Sequence, residues 1–563
     1  LGFVPGPWMK SIQVSKGLAS VKNGFESVAG QVNVVLQPAE DVNSLTANVY
    51  GDSKSRAEVN FLGNCHLTNR WSSALLTHYE NRWGHHDEND DGFVDMPKVK
   101  QGSLMSRWAY MSDGYIFQAA IKGLKEHRES GQTDYHSHVA GNAIPYLIDI
   151  TNERYEAFTK NAFILNQERM TNIALILSGS IHHERSLYGA TPYNVDQRNG
   201  YASLLFETDF DEHHSISTGI SLNHDWLDEQ NHWYPPYLDY GTTWGQVTDE
   251  TTPGAYAQYT YKIGEQFTVM GGLRWDYSNL WGSFVTPRMH VKYSPSETVT
   301  LRGSVGKGYR TPNIMAENPY LLASSRMLVI DKNIGQEKAW NYGVSAQLKI
   351  PVGERTLELN AEYYYTHFLQ QAIIDYDMGP FIQKTEPPTY LPMIEMHGMS
   401  DGDKSYSHTI QVDVTYELLP KLTVTAAWRW NDVKATYNGE LRQKPMNSRY
   451  KGLLTASYAP GLGKWQFDAT LQLNGGGRLP DNHGNGLWDE HFKAYEQVSA
   501  QVTRFFRHWS IYAGGENLTD FKQKNAIISA DNPWSKDFDA TMIWGPVHGR
   551  VFYIGARINW DKI

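Results

Sequence analysis

The chain has 563 residues, 40% hydrophobic and 13% aromatic, with 48 glycines and a mean hydropathy of −0.51. No run approaches the roughly 18 uninterrupted apolar residues of a membrane-crossing helix, which excludes a helical membrane protein but not a barrel, whose alternating strands average their signal away. A net charge of −11 argues against nucleic acid, and a lone cysteine, Cys65, excludes an internal disulfide or a metal site built on paired cysteines.

The chain begins at Leu1 with no charged, apolar and small-residue leader, so a processed or partial chain is expected. From Leu45 onward about 22 candidate strands follow, each long enough to cross a bilayer when tilted. Tight links are expected around Asp113-Gly114, Glu212 to His214, Ile263 to Glu265, Ser294-Pro295, Pro351 to Glu354, Leu419-Pro420 and Pro460 to Gly463. Between them lie long excursions: Asn81 to Gln101, Lys125 to Glu153, Leu227 to Thr252, Tyr309 to Lys338, Gln371 to Gly402 and Thr519 to Val547.

The strands themselves alternate. Ile410, Val412, Val414, Tyr416 and Leu418 share a face, as do Leu422, Val424, Ala426, Trp428 and Trp430. Trp465, Phe467, Ala469, Leu471 and Leu473 repeat the pattern, and so do Phe552, Ile554, Ala556, Ile558 and Trp560. Period two assigns one face to lipid and the other to a lumen. A soluble sandwich also alternates, but it has no reason to sort its loops into short and long sides. The predicted fold is therefore all-β, a transmembrane antiparallel barrel of about 22 strands with short periplasmic turns and long extracellular loops. An even strand number puts both chain ends in the periplasm, and the lumen is wide enough for a separate plug. Trp71, Tyr79, Trp108, Tyr110, Trp275 and Tyr277, near strand ends, fit interfacial girdles, although aromatics favour strands in any case.

Four stretches resemble TonB-dependent outer-membrane receptors. Ile12 to Val35, IQVSKGLASVKNGFESVAGQVNVV, resembles the end of that family's plug. Gly271 to Tyr277 (GGLRWDY) resembles a Gly-x-Arg-x-Asp barrel strand, and Gly306 to Asn313 (GKGYRTPN) the mid-barrel Gly-Phe-Arg-x-Pro signature. Gly514 to Phe521 (GGENLTDF) resembles the Glu-Asn-Leu-x-Asp motif before the last hairpin. The resemblance implies residues 1–40 as the C-terminal end of a plug domain and 41–563 as the barrel. It departs from the family in two places. Most of a plug and its TonB box are not in the sequence, and Trp560, the expected terminal aromatic, is followed by Asp561, Lys562 and Ile563.

By resemblance the function is active import across the outer membrane of a Gram-negative bacterium, driven through a TonB–ExbB–ExbD complex that engages the plug. The cargo implied is a scarce metal chelate. Iron–siderophore or haem comes first, then cobalamin or a soft-metal (copper) complex. Outer-membrane lipid and lipopolysaccharide surround such a barrel, and a surface lipoprotein could cap it. The rivals are a passive channel and a surface-binding barrel.

Four groups of residues are candidate sites. Asp87, Asn89, Asp91 and Asp95, with Gly92 among them, have the spacing of an EF-hand-type calcium loop, although Lys98 replaces the last ligand; the bland alternative is a solvated acidic loop. Structural calcium is the one cofactor considered, and none is required. Met393, Met396, His397 and Met399 offer soft-metal donors at close spacing; if the segment is strand, alternate residues face lipid, where Met is ordinary. Trp233, Tyr234, Tyr237, Tyr240 and Trp244 suit stacking on a planar ligand, or loop packing, or contact with lipopolysaccharide. Arg310, Asn313, Tyr320 and Arg326 suit an anionic ligand. The histidine pairs His85/His86 and His182/His183 read as loop residues, and His213/His214 as a periplasmic turn. No nucleophile elbow, P-loop or His-Glu-x-x-His motif occurs, so no enzyme activity is expected.

Overall fold

The computed structural model describes residues 2–26, 28, 30–39, 44–133, 144–233, 242–383 and 389–561. Among the described residues, 23 strands close one barrel; two of them, Glu440–Gln443 and Tyr450–Tyr458, both pair with Leu422–Tyr437 as a single interrupted stave, which leaves 22 staves. Every barrel ladder is antiparallel, and the first strand, Ser44–Asp52, closes on the last, Val551–Asp561, from Ser44↔Asp561 to Asp52↔Tyr553. No backbone edge is left for lipid, which cannot hydrogen-bond it. Alternation sorts the side chains as expected: Phe552, Ile554, Ile558 and Trp560 are exposed on the outer face, while Val551 and Gly555 are buried inside.

The wall is lopsided. Staves Ser44–Asp52, Trp509–Glu516 and Trp465–Asn474 have 9, 8 and 10 residues, enough for the membrane alone. Staves Leu147–Asn166, His214–Trp233 and Thr242–Ile263 have 20, 20 and 22, so they continue far above the bilayer. Beyond the lipid their outward side chains become polar and pair across strands: Lys125 with Glu153 at 2.5 Å, His127 with Asp149 at 2.7 Å, and His183 with Asp196 at 2.5 Å.

This tall wall corrects several loop boundaries. In Lys125 to Glu153 residues 125–131 and 147–153 are paired strand, as is most of Leu227 to Thr252, including Lys125↔Glu153 and Leu227↔Thr248. His182 and His183 lie within the strand Thr171–Tyr188. Ser294-Pro295 is not a turn; the strand runs to Ser296 with a bulge after Tyr293, and the link is 297–298. The long side is not uniformly long either: 189–190 and the Asn438-Gly439 pair, with φ of 46° and 77°, are tight outer hairpins.

The N-terminal tail forms a hairpin, Met9–Lys16 with Gly30–Leu36, inside the lumen. Trp8 is fully buried and its indole N–H donates to the Thr77 carbonyl at 3.3 Å. Arg288 donates to the carbonyls of Ala19, Ser20 and Phe25 at 3.0, 3.2 and 3.0 Å, which satisfies backbone that no strand partners. Lys16 bridges to Glu362 at 2.6 Å. The tail runs along glycines of the wall because a side chain would block it: a Cβ on Gly272 would meet Val21, one on Gly306 Leu18, and one on Gly308 Val28.

Candidate functional site

The extracellular loops fold inward over the mouth. Tyr188, Tyr193, Val195 and Leu227, on the lumen side of the tall wall, share one apolar core with Met315, Leu321, Leu322, Tyr376, Ile394 and Met396 from the loops; Met446 and Ala540, from the other side of the barrel, pack against it. A small sheet stiffens this roof, with Met393–Gly398 lying between Met327–Ile330 and Ala372–Asp375. Phe93, Tyr146 and Phe538, each from a different loop, form a second core.

Charged groups weld the loops together. Arg326 and Asp539 are both buried and bridge at 2.7 Å, with the guanidinium 5.0 Å above the Trp488 ring. Asp377, also buried, accepts from Arg478 through both oxygens at 2.9 and 2.7 Å and from the Asp481 amide at 2.8 Å. Arg442 reaches Asp481 at 3.0 Å. His397 stands 3.8 Å from buried Asp375, and the neighbouring carboxylate raises the imidazole pKa to about 9.

Beneath the roof lies a chamber of about 730 Å³, walled by Tyr320, Phe368, Tyr376, Tyr437, Met446 and Ile543 among others. Phe368 and Tyr437 come from staves, and the rest from loops. The Tyr320 and Tyr376 hydroxyls meet at 3.1 Å. Burial, with Tyr320 beside it, pushes the Tyr376 phenol well above its ordinary pKa, so it stays a protonated donor. Rings with a few hydroxyls around a space of this size can hold a small planar or ring-bearing ligand.

The sequence-predicted residues scatter around this chamber. Tyr320 lines it. Trp244 packs against the roof core, and Trp233 ends a strand paired with Thr242. Tyr234, Tyr237 and Tyr240 lie outside the described residues. Arg310 is not free for an anion, because Glu337 and Glu317 hold it at 2.6 and 2.8 Å. Asn313 precedes the helix Ile314–Glu317, its amide capped by Glu317 at 3.0 Å. Arg326 is turned inward to Asp539 and braces the roof.

Met393, Met396, His397 and Met399 do not converge. Their segment is strand, but in the extracellular roof rather than against lipid, and alternation sends Met396 into the apolar core while His397 faces Asp375; Met399 packs near Ala435 and Tyr437. In the acidic loop, Asp87 accepts from the Asp91 and Gly92 amides at 3.2 and 2.8 Å, Asp91 from Phe93 and Asn89, and Asp95 from the Glu88 amide at 2.8 Å. Burial first, then the charges of Asp87, Asp91 and Glu88, raise the Asp95 pKa to about 6. Among the described residues, no group of three or more His, Cys, Asp or Glu side chains is placed to hold a metal ion. Sequence reasoning missed Phe368, Tyr376 and Tyr437; alternation alone could have turned Phe368 and Tyr437 inward.

Residues 38–518 match the family described as TonB dependent receptor-like, beta-barrel. The ferric enterobactin receptor of Pseudomonas aeruginosa is 19% identical over 525 residues, covering 84% of this chain; the chain spans only 64% of that relative's length. Among solved structures, the siderophore receptor PirA from Acinetobacter baumannii has a TM-score of 0.73 at 15% identity, covering 99% of this chain and 86% of its own. The copper transporter OprC has a TM-score of 0.75 at 13% identity, covering 99% and 87%. At such identities these structures share the fold. The family match spans most of the sequence and agrees with the 22-stave wall, so the chain belongs to the TonB-dependent receptor-like β-barrels of the Gram-negative outer membrane.

Proposed function

We propose that this chain is the barrel and plug terminus of an active importer for a metal chelate. An iron–siderophore or haem is the first candidate, and cobalamin or a copper complex the second. The observation that carries the proposal is the inward-folded roof, whose apolar core joins loops to the inside of the tall wall above an aromatic chamber. A passive channel has no use for loops packed over its mouth, whereas an importer binds its cargo there before opening. The tail pinned by Arg288 and the wall glycines is read as the end of a plug, and energy as arriving through TonB. The names of the ferric enterobactin and PirA receptors, and of the copper transporter OprC, support this cargo class.

Radiolabelled ferric chelates supplied to cells carrying the full-length protein test the reading. Uptake is expected to stop with an uncoupler or without TonB, while surface binding persists. Uptake unaffected by either treatment would establish a passive channel; binding of a protein partner with no chelate uptake would establish a surface-binding barrel.

A further inference from the structure

The outer, lipid-facing surface of the wall carries a cation that no acid neutralises. On stave Tyr495–Phe505, Arg504 lies directly opposite Trp465 on one side and Ile511 on the other. Both neighbours are exposed on the outer face, as are Phe467 and Trp509 beside them, so Arg504 points outward too. It is one residue from the inner end of its stave, next to the short turn 506–508, and therefore level with the periplasmic leaflet.

An unpaired charge facing hydrocarbon is costly. Among the described residues, Arg504 forms no ion pair. On the inner halves of the staves, one other Lys, Arg, Asp or Glu of the described residues faces outward: Arg355, opposite Val352, with Glu417 3.9 Å away. Arg504 is instead clamped by rings. Its guanidinium carbon lies 4.8 Å from the centre of the Trp465 ring and 5.3 Å from that of Phe506, which stacks on Trp509 at 3.9 Å. One N–H reaches the Lys464 carbonyl at 3.4 Å, leaving four donors in a fixed planar fork.

The turns below it differ from the rest of the inner rim. Each turn from 112–114 round to 353–354 holds an acid, Asp113 in the first and Glu354 in the last. The next three, 420–421, 459–464 and 506–508, hold Lys421, Lys464 and Arg507 and no acid. The basic sector and the ring-clamped arginine thus coincide, in a chain whose net charge is −11.

We infer that Arg504 is the seat of an anionic phospholipid of the inner leaflet. The guanidinium fork matches two oxygens of a phosphodiester, the clamping rings hold it in that plane, and the acyl chains lie along Phe467, Val502 and Ile511 of the same outer face. Lys464 and Arg507 favour a headgroup of net negative charge, such as phosphatidylglycerol, over zwitterionic phosphatidylethanolamine, whose own ammonium they repel. Because the seat is on the outside of the wall, it depends neither on what fills the lumen nor on the cargo.

The test titrates the purified full-length protein in detergent with phosphatidylglycerol or phosphatidylethanolamine of matched chains, read by native mass spectrometry. One phosphatidylglycerol is expected to bind roughly tenfold more tightly than phosphatidylethanolamine. Arg504→Gln should erase that preference, Lys464→Gln/Arg507→Gln should reduce it, and Arg355→Gln should leave it intact. Equal binding of the two lipids overturns the seat, as does a preference that survives Arg504→Gln. An equal loss in Arg355→Gln would mark general attraction to basic side chains and overturns it as well. Displacement of the bound lipid by inorganic phosphate would overturn a lipid as the occupant. Heat-modifiable migration of each variant checks that the barrel is intact.

Discussion

Replacing Asp539 by Asn removes one charge from the roof and leaves the shape of the side chain unchanged. Arg326 is 4% exposed and Asp539 3%, so water neither screens their attraction nor replaces it when it is lost. Breaking such a pair from one side strands a buried cation, at a cost of about 3–5 kcal/mol. Asp539 also accepts from the Thr541 amide and hydroxyl at 2.8 and 2.7 Å, and an Asn side-chain oxygen retains those bonds, so the loss isolates the charge. The backbones of Ser324 and Asp539 bridge each other, and the Ser325 amide donates to the Phe538 carbonyl; these bonds hold two loops edge to edge. The roof should therefore open locally about a hundredfold or more often, with the barrel unaffected. Hydrogen exchange read by mass spectrometry on peptides spanning 319–331 and 526–541 measures this opening. Arg326→Met combined with Asp539→Asn should recover most of the protection, since no charge then remains buried. A single variant that exchanges within fivefold of wild type would refute the argument, and so would a double variant no better than the single one.

Three further outcomes follow from the same structure. Gly308→Val should displace the tail, since even a Cβ there meets Val28 and the Phe25 carbonyl, and the check is faster protease cleavage within residues 9–36 of membrane-embedded protein at unchanged barrel heat resistance. Asp95 has its folded pKa raised to about 6 from 3.8, so the folded acidic loop favours the protonated acid; its contribution is full below the unfolded value and is lost as pH rises through 6, and the Glu88 and Gly92 amides should exchange faster at pH 7 than at pH 5 after correction for intrinsic rates. His397 has its folded pKa raised to about 9 from 6.5, so its pairing with Asp375 stabilises the roof sheet below 6.5 and fades as pH climbs through 9, by at most about 3 kcal/mol; exchange in 372–375 should rise across that window in wild type and stay flat in His397→Gln.

The strands that touch lipid were legible because lipid imposes the pattern. Phe552, Ile554 and Ile558 must be apolar and their neighbours need not be, so period two survives in the sequence. Above the bilayer the same staves meet water outside, and outward positions become Lys125, His127, Glu153 and His183; alternation disappears although the ladder continues. Strand that faces water outside then resembles loop in the sequence, which is why Lys125 to Glu153 and Leu227 to Thr252 look like excursions there. Loop residues were illegible for a different reason. Arg326 looks like a free cation until Asp539, far along the chain, is folded against it, and no local pattern carries that distance. Where strand period does apply within a loop, it contradicts the composition: Met396 and His397 look like joint donors by proximity, yet neighbours in a strand point to opposite faces.

The glycine motifs lie between these two cases. Gly271-Gly272 and Gly306-x-Gly308 stood out as signatures, but nothing in the sequence says what glycine is for in the middle of a strand, where it weakens packing. The structure supplies the reason. Gly272, Gly306 and Gly308 form the track on which Val21, Leu18 and Val28 rest, and Arg288 on the neighbouring stave holds the tail's carbonyls against it. A motif of the wall is therefore a property of the tail that lies on it. On the import reading, a tail that is both held and moved gains from a glycine track, where the wall presents backbone and the tail supplies the side chains.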